Sequence, residues 1–198
     1  MKTYIATKNQ GKLAEIRTML NGSRLDLDVY PDYRDPEEGE TSYVDNALLK
    51  ARSLHSQLRD AGISDAAVLA DDSGIEIDAF GGKPGVLSAR YAGESTPWPE
   101  RRAYLLRELN GVPEDRRGAR FVCVMAYIDP HGRETVVRGD VQGRILTDEK
   151  GEYGFGYDPV FFYPPIDSTF AEIPEEEKNR LSHRGRAARA LLEAIGKQ

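Results

Sequence analysis

The chain has 198 residues, of which 39% are hydrophobic and 30% are charged, and its formal net charge is -6. This composition excludes a disordered or fibrous protein, and no apolar stretch approaches the length of a membrane-spanning helix. The negative charge argues against a non-specific nucleic-acid surface, which needs a positive field, but it leaves room for a local site that binds a small anion.

The cysteine content and the first residues bear on the compartment. Cys123 is the only cysteine, so no intrachain disulfide forms, and its apolar neighbours predict a buried hydrophobic residue. The segment Met1–Thr7 becomes polar too early for the apolar core of a signal peptide. We therefore expect a cytoplasmic protein.

The first half of the chain predicts short strands that alternate with amphipathic helices. Strands are expected at Thr3–Thr7, at 25–29, at Ala67–Ala70 and around Ile75 and Ile77, and helices at Lys12–Leu20 and Ser42–Arg59. The helices are predicted from apolar residues at helical spacing. The strands are predicted from short apolar runs or from the alternation of apolar and polar residues.

In the second half, strands cluster between two predicted helices, at Pro99–Leu109 and Arg184–Ile195. Arg120–Ile128 is almost continuously apolar, as in a central strand covered on both faces, and Thr135–Val141 is expected beside it. This order predicts an α/β fold with a mixed β-sheet flanked by helices. No linker or repeat divides the chain, so a single domain over residues 1–198 is expected.

The segment Thr7-Lys8-Asn9-Gln10-Gly11-Lys12 lies between a predicted strand and a predicted helix. Free N–H groups and the positive dipole end of a helix N-terminus attract an anion, and the two lysines add charge. An ordinary loop with Asn9 as the helix cap explains the segment equally well. It is not a Walker A loop, because alanine and leucine replace the required glycine and hydroxyl residue.

Asp71 and Asp72 directly follow an apolar strand and precede Ser73-Gly74. Two adjacent carboxylates repel each other unless a positive group neutralises them, and Mg²⁺ prefers such hard oxygen ligands. Adjacent strand residues point to opposite faces, so both enter one pocket only if the backbone kinks at Ser73-Gly74. The alternative is a solvated turn capped by an aspartate.

A third candidate lies on the long helix, where Asn46 and Lys50 are four residues apart and share a face. The acidic segment Glu37-Glu38-Gly39-Glu40 comes just before this helix. Plain helix surface and solvated acidic charge explain these residues without any function.

Two segments near the end of the chain suit the binding of a flat ligand. In Gly154-Phe155-Gly156-Tyr157-Asp158-Pro159, glycines flank an aromatic ring that is suited to stacking. Ser182 is a candidate N-cap of the last helix, so His183 and Arg184 are expected to direct their donors outward from its N-terminus. A capped helix with surface charges explains the second segment but not the first.

Together these segments resemble one family, the inosine-triphosphate pyrophosphatases (Ham1-like dITP/XTP diphosphatases). The resemblance covers nearly the whole chain, and it is specific because the motifs occur in the family's order and spacing. The motifs are Thr7–Lys12, Asn46–Ala51, Ala70–Gly74, Gly85–Gly93, Phe155–Pro159 and Ser182–Arg184.

The resemblance implies an elongated mixed sheet with two lobes around a central cleft, in a homodimer. It implies Mg²⁺-dependent cleavage between the α- and β-phosphates of ITP, dITP and XTP, which removes deaminated purines from the nucleotide pool. The expected partner is therefore a purine nucleoside triphosphate, and neither a nucleic acid nor a membrane is expected.

The resemblance also implies roles for individual residues. Asp72 is expected to be the general base and, with Asp71 and Glu38, a metal ligand, although the loop departs from the common pattern and leaves Glu37 or Glu40 as alternatives. The residues implied at the triphosphate are Thr7, Lys8, Asn9, Gln10, Gly11 and Lys12, and Ser73 is implied as a substrate contact. Those implied at the base are Phe155, Gly156, Tyr157, Asp158, Lys178, His183 and Arg184.

The chemistry of these residue types agrees with the resemblance. Lys50 is expected to be catalytic, because a lysine near Mg²⁺ concentrates positive field where charge moves to the leaving pyrophosphate. His183 and Arg184 are donors suited to a 6-oxo group, and adenine would leave them unpaired.

Other functions stay open at this point. One is a related pyrophosphatase for pyrimidine nucleotides, and another is a non-catalytic nucleotide sensor, against which the Asp71-Asp72 pair argues. A nucleic-acid-binding module is a weak third, because no basic stripe is present. The sequence has no His-Glu-x-x-His, paired CxxC or Gly-x-Ser-x-Gly motif that would favour another hydrolase.

Overall fold

The computed structural model of the protein describes residues 1–196. Its helices are α1 (Gln10–Leu20), α2 (Tyr43–Asp60), α3 (Trp98–Glu108), α4 (Glu175–Leu181) and α5 (His183–Gly196). Its strands are β1 (Lys2–Ile5), β2 (Asp26–Asp28), β3 (Ala67–Ile77), β4 (Pro84–Gly85), β5 (Gly118–Ile128), β6 (Glu134–Ile145), β7 (Phe161–Tyr163) and β8 (Ser168–Thr169). The predicted helices α1, α2, α3 and α5 and the predicted strands β1, β2, β5 and β6 are confirmed, whereas the two strands predicted on either side of the aspartate pair are the single strand β3.

Side-chain caps set the start of the first two helices. Asn9 Oδ1 accepts a hydrogen bond from the Lys12 N–H at 3.1 Å, and Ser42 Oγ accepts one from the Asp45 N–H at 3.1 Å. These caps satisfy N–H groups that have no partner within the first turn of a helix. Asn9 is thus confirmed as a cap, and α1 begins two residues before the predicted position.

Within residues 1–196, eight strands form one sheet in the order β2-β1-β3-β5-β6-β7-β8, and β4 pairs with β3. β1 is parallel to both neighbours, with Thr3 opposite Leu27 of β2 and Ala67 of β3. The pairs β3–β4, β6–β7 and β7–β8 are antiparallel. The predicted mixed sheet is confirmed, and β5 is buried over nearly its whole length, as its apolar sequence predicts.

β3 is longer than the sequence predicts. It runs from Ala67 to Ile77 without a break, so Asp71 and Asp72 lie inside a buried strand, and the solvated-turn alternative is wrong. The strand continues because Gly74 allows close contact with the following loop, whose Ser88 Oγ accepts a hydrogen bond from the Ile75 N–H at 2.8 Å. A strand that continues through the pair sends its two carboxylates to opposite faces.

The chain divides into two compact units, each with its own hydrophobic core. The first unit contains Met1–Asp72, Cys123–Gly139 and the chain from Arg184 onward, and the second contains Ser73–Val122 and Asp140–His183. The core of the first unit includes Ile5, Ile16, Leu69, Met125 and Leu191. The core of the second unit includes Ile75, Leu105, Phe121, Phe161 and Phe170. A single catalytic domain over residues 1–198 stays a prediction.

Cys123 is a buried member of the first core, as its sequence context predicts. Burial raises the pKa of its thiol to about 12, with a further contribution from the Asp71 charge. The side chain therefore acts as a small hydrophobic residue. None of the helices in the described part of the chain has an apolar stretch long enough to cross a membrane.

Gly74 offers a test of the close packing beside β3. A Cβ at this position would lie 2.1 Å from the Gly85 carbonyl oxygen and 2.6 Å from Ser88 Oγ. We expect Gly74→Ala to lower the free energy of unfolding by roughly 1–3 kcal/mol, because the backbone of the loop must move. Urea unfolding measures this, with Gly196→Ala as control, because nothing lies within 4 Å of a Cβ at Gly196. Equal midpoints for the two variants would contradict the expectation.

Candidate active site

The carboxylate of Asp72 is held by two side chains of α2. Asn46 Nδ2 donates a hydrogen bond to Asp72 Oδ2 at 3.2 Å, and Lys50 Nζ lies 3.3 Å from Asp72 Oδ1. Asn46 and Lys50 are 1% and 6% exposed. The predicted shared helix face is therefore a buried face turned to Asp72, and the alternative of plain helix surface is wrong for both residues.

The acidic loop before α2 contributes one carboxylate to this group. Glu38 Oε1 lies 2.7 Å from Lys50 Nζ. The neighbouring Gly39 fixes the loop, because its N–H donates to Asn46 Oδ1 at 2.8 Å and its carbonyl accepts from Asn46 Nδ2 at 3.0 Å. Glu37 and Glu40 are exposed. Of the three candidate glutamates, the structure thus brings Glu38 to Lys50 and Asp72.

Asp71 has a different set of cationic neighbours. Lys12 Nζ, from α1, lies 3.0 Å from Asp71 Oδ2, and Arg184 Nε, from α5, lies 3.7 Å from the same oxygen. Arg184 also donates through a terminal nitrogen to Glu15, and this ion pair is buried on both sides. Lys12, Asp71, Arg184 and Glu15 form a buried network of alternating charge. We call these residues, with Glu38, Asn46, Lys50 and Asp72, the carboxylate cluster.

The pKa values of the two adjacent carboxyl groups are shifted in opposite directions. Burial by itself would raise the pKa of Asp71, but the charges of Lys12 and Arg184 outweigh it and hold that pKa well below its usual range. Burial raises the pKa of Asp72, and the Glu38 charge adds to this, against the opposing effect of Lys50 and Lys12. Asp71 therefore stays ionised, whereas Asp72 is the stronger proton acceptor of the two.

The carboxylate cluster offers a hard divalent cation the carboxylates of Glu38 and Asp72. Among the described residues, no group of three or more His, Cys, Asp or Glu side chains is arranged to hold a metal, and metal binding by the implied ligands Glu38, Asp71 and Asp72 stays a prediction. Mg²⁺ commonly takes one or two protein carboxylates and completes its shell with water and substrate phosphate. Glu38 and Asp72 already share one cation, the Lys50 ammonium. Within residues 1–196, the buried Asp71 Oδ1 has no hydrogen-bond donor.

The predicted phosphate segment Thr7–Lys12 forms the capped start of α1. Lys12 reaches into the carboxylate cluster, whereas Lys8 is exposed and lies 3.2 Å from Asp35. Thr7 Oγ1 accepts the Asn9 N–H at 3.2 Å, and Gln10 and Gly11 open the helix. Of these residues, Lys12 contacts other site residues, and phosphate binding by the segment stays a prediction.

Residues 154–158, called here the aromatic turn, are folded around the Asp158 carboxylate. Asp158 Oδ2 accepts the Phe155 N–H at 2.8 Å and lies 2.5 Å from Lys178 Nζ. The Lys178 ammonium lies 4.8 Å from the centre of the Phe155 ring, a cation–π distance. Gly154 has φ +71°, and a Cβ there would lie 2.3 Å from Asp158 Oδ2. The structure thus brings Phe155, Asp158 and Lys178 together and explains the glycine.

Tyr157 and Gly156 connect the aromatic turn to its scaffold. The buried Tyr157 hydroxyl donates to the Ser88 carbonyl at 3.0 Å, and burial raises the pKa of Tyr157. Its ring packs edge-on against Trp98 of α3, with centroids 5.3 Å apart. The Gly156 carbonyl accepts a hydrogen bond from Arg102 of the same helix at 3.0 Å. Contact of Tyr157 or Gly156 with a purine stays a prediction.

His183 and Arg184, the predicted donor pair, are placed in different surroundings. The buried His183 ring stacks on Phe121, with centroids 4.7 Å apart and 12° between the planes. Arg184 is 3% exposed and contacts Glu15 and Asp71, so the alternative of a surface charge is wrong for it. Consecutive helix residues point about 100° apart, which separates the two side chains. Their role in base recognition stays a prediction.

Ser73 follows Asp72 in β3 and is half-buried.

Two contributors to the site were not found from the sequence. Glu15 lies on the apolar face of α1 beside Leu13 and Ile16, and a carboxylate on such a face is a usable sign of a buried ion pair. Arg102 has no such sign, because an arginine on a helix is ordinarily expected at the surface. Only the packing of α3 shows that its side chain is 12% exposed.

A family model described as the Ham1 family matches residues 3–194 of the sequence. The chain belongs to the Ham1 family. A relative from Desulforamulus reducens, named dITP/XTP pyrophosphatase, is 42% identical over 200 residues, which cover 100% of this chain and 96% of the relative. The resemblance inferred from the motifs is confirmed.

Two similar proteins of known structure have the same fold as this chain. The Staphylococcus aureus Ham1 protein has a TM-score of 0.84 and 34% identity, with both chains covered completely. A protein from Mycobacterium abscessus, titled nucleoside-triphosphatase / dITP/XTP pyrophosphatase, has a TM-score of 0.72 and 41% identity, with 97% of this chain and 99% of that chain covered. The predicted fold class is thereby confirmed.

The buried Glu15–Arg184 pair of this Ham1 chain offers a test of the carboxylate cluster. We expect Glu15→Gln to lower the free energy of unfolding by about 3 kcal/mol, because it leaves a buried guanidinium with one carboxylate fewer. The matched control is Glu177→Gln, whose partner Arg180 is 3.8 Å away in an exposed pair. Chemical unfolding at neutral pH measures both, and equal losses would show that Glu15 is not part of a stabilising network.

Proposed function

We propose that this Ham1-family chain hydrolyses non-standard purine nucleoside triphosphates (dITP, ITP and XTP) to the monophosphate and pyrophosphate, as a cytoplasmic homodimer. The names of its relatives support the reaction for dITP and XTP. The observation that carries the proposal is the group of Glu38, Lys50 and Asp72, in which two carboxylates lie against one buried ammonium.

Mg²⁺ is the metal that we assign to the carboxylate cluster. Glu38 and Asp72 are its ligands in this proposal, and Asp71 Oδ1 is a further oxygen in the same strand. When bound, Mg²⁺ supplies positive charge that offsets the charge developing on the leaving pyrophosphate.

Asp72 is the general base in the proposed reaction. Water attacks the α-phosphorus, the bond from this phosphorus to the oxygen bridging to the β-phosphate breaks, and the water proton passes to Asp72. Asn46 and Lys50 hold the two oxygens of Asp72 in place to accept this proton. The Asp71 carboxylate does not compete for this proton, because its pKa is held low.

The cations of the carboxylate cluster bind the phosphates in this proposal. Lys50 and Lys12 place positive charge beside Asp72 and Asp71, where the charge of the leaving group develops. The first turn of α1 adds N–H groups that have no partner within the helix.

The aromatic turn is the proposed site for the purine base. A planar base stacked on Phe155 would lie beside the Lys178 ammonium, a donor that suits a 6-oxo group. Asp158 fixes both Phe155 and Lys178, so the stacking surface and the donor are positioned by the same carboxylate. A 6-amino group, itself a donor, does not match this arrangement.

The first experiment is product analysis. Purified protein is incubated with ITP, XTP, GTP, ATP and a pyrimidine triphosphate, with and without Mg²⁺, and pyrophosphate is resolved from orthophosphate. We expect metal-dependent pyrophosphate from ITP and XTP and little from ATP or GTP. Orthophosphate as the primary product, or a preference for ATP or pyrimidines, would overturn the mechanism or the specificity. Binding without hydrolysis would favour a nucleotide sensor.

The role of Asp72 is tested by Asp72→Asn. We expect the variant to fold and to lose about 10²–10⁴-fold in kcat, because the amide cannot accept the proton. Asp45→Asn is the matched control, because Asp45 lies on the same α2 helix and is exposed. Kinetics with ITP and the midpoint of thermal unfolding are compared for both. Near-normal turnover by Asp72→Asn would remove Asp72 as the base.

A further inference from the structure

Arg102 of α3 connects two parts of the segment that contains the aromatic turn. One terminal nitrogen donates to the Gly156 carbonyl at 3.0 Å, and the other lies 2.9 Å from the Glu149 carboxylate. The Arg102 side chain is 12% exposed and the Glu149 side chain 38% exposed, so the guanidinium is largely shielded from water while its carboxylate partner lies at the surface. A guanidinium is planar and presents its donors at fixed angles, so it holds both partners at once.

The Gly156 carbonyl is a point at which the aromatic turn needs support. Gly154 and Gly156 both have positive φ, +71° and +66°, and glycine restricts the backbone less than any other residue. Asp158 and Lys178 hold one end of the turn, and α3 holds the middle through Arg102 and the Trp98 ring, which lies 3.8 Å from a Cβ position at Gly156. The direction of the Phe155 ring therefore depends on a charged hydrogen bond from outside the turn.

We propose that Arg102 is a positioning residue for purine binding, which sets the Phe155 ring through the Gly156 carbonyl and so controls substrate affinity and selectivity. The inference rests on the proposed function, because it takes the aromatic turn as the purine site. It adds α3, which contains none of the residues implied by the family motifs, to the elements that determine specificity.

Arg102 acts on binding rather than on the hydrolytic step. Its partners are Gly156 and Glu149, whereas Asp72 is held by Asn46 and Lys50 of α2. Loss of Arg102 therefore affects KM and the selectivity between purine bases. The general base Asp72 keeps its own contacts. A merely structural role would lower stability without moving KM and selectivity in this way.

Steady-state kinetics of the Mg²⁺-loaded enzyme with ITP and ATP test the proposal. We expect Arg102→Gln to raise KM for ITP about tenfold, with a fall in the preference for ITP over ATP and kcat nearly unchanged. Arg102→Lys should restore part of the affinity, because the ammonium keeps the charge and one contact. Arg107→Gln is the matched control on α3, since Arg107 is exposed and lies over the Tyr104 ring.

Trp98 provides a binding measurement that is independent of turnover. It is the only tryptophan of the chain and lies against Tyr157 of the aromatic turn, so its fluorescence reports on this region. Titration with IMP, the expected product, should give a Kd that rises in Arg102→Gln by the same factor as KM. If Arg102→Gln does not fold, Glu149→Gln replaces it, with a smaller rise in both constants expected.

The outcomes separate the two proposals. A wild-type protein that releases no pyrophosphate from ITP refutes the proposed function, whatever Arg102 does. A wild-type protein that is active, with KM, selectivity and the IMP Kd unchanged in Arg102→Gln or in its replacement, refutes the positioning role alone. A loss confined to kcat would also overturn it, because it would connect Arg102 to the chemical step.

Discussion

Two adjacent carboxylates within a buried strand impose the main electrostatic constraint on this fold. Asp71 and Asp72 are 1% and 4% exposed, and a buried charge is tolerated only beside an opposite charge. Consecutive strand residues point to opposite faces, and the two carboxylates accordingly have different ion-pair partners. α2 therefore supplies Lys50 to Asp72, while α1 and α5 supply Lys12 and Arg184 to Asp71.

The same constraint gives two chemically identical side chains different properties. Asp71 has two cationic partners and a pKa below its usual range, so it acts as a fixed negative charge. Asp72 shares the Lys50 ammonium with Glu38. Burial is the largest influence on the Asp72 carboxyl and raises the pKa of Asp72. The arrangement places a carboxyl with a raised pKa next to one with a lowered pKa, a difference typical of catalytic sites.

The aromatic turn solves a different problem, that of holding a flexible glycine-containing segment in one conformation. Its glycines permit the positive φ angles and the close approach of Asp158, but they leave the backbone without intrinsic preference. Order comes from polar contacts to Lys178 and Arg102 and from the Trp98–Tyr157 ring contact. The group of half-buried Phe155 with buried Lys178 and Asp158 thus depends on residues far away in sequence.

The sequence by itself determined the four longer helices and the strands β1, β2, β5 and β6, the Ham1-family motifs and the shared face of Asn46 and Lys50, because helical and strand periodicity is a property of neighbouring residues. It did not determine that β3 continues through the aspartate pair, that Glu38 is the glutamate that meets Lys50, or that Arg184 turns inward. Nor did it single out Arg102. Those features were decided by the tertiary structure, since an ion pair or a hydrogen bond between distant segments depends on their packing and register, which no local pattern records.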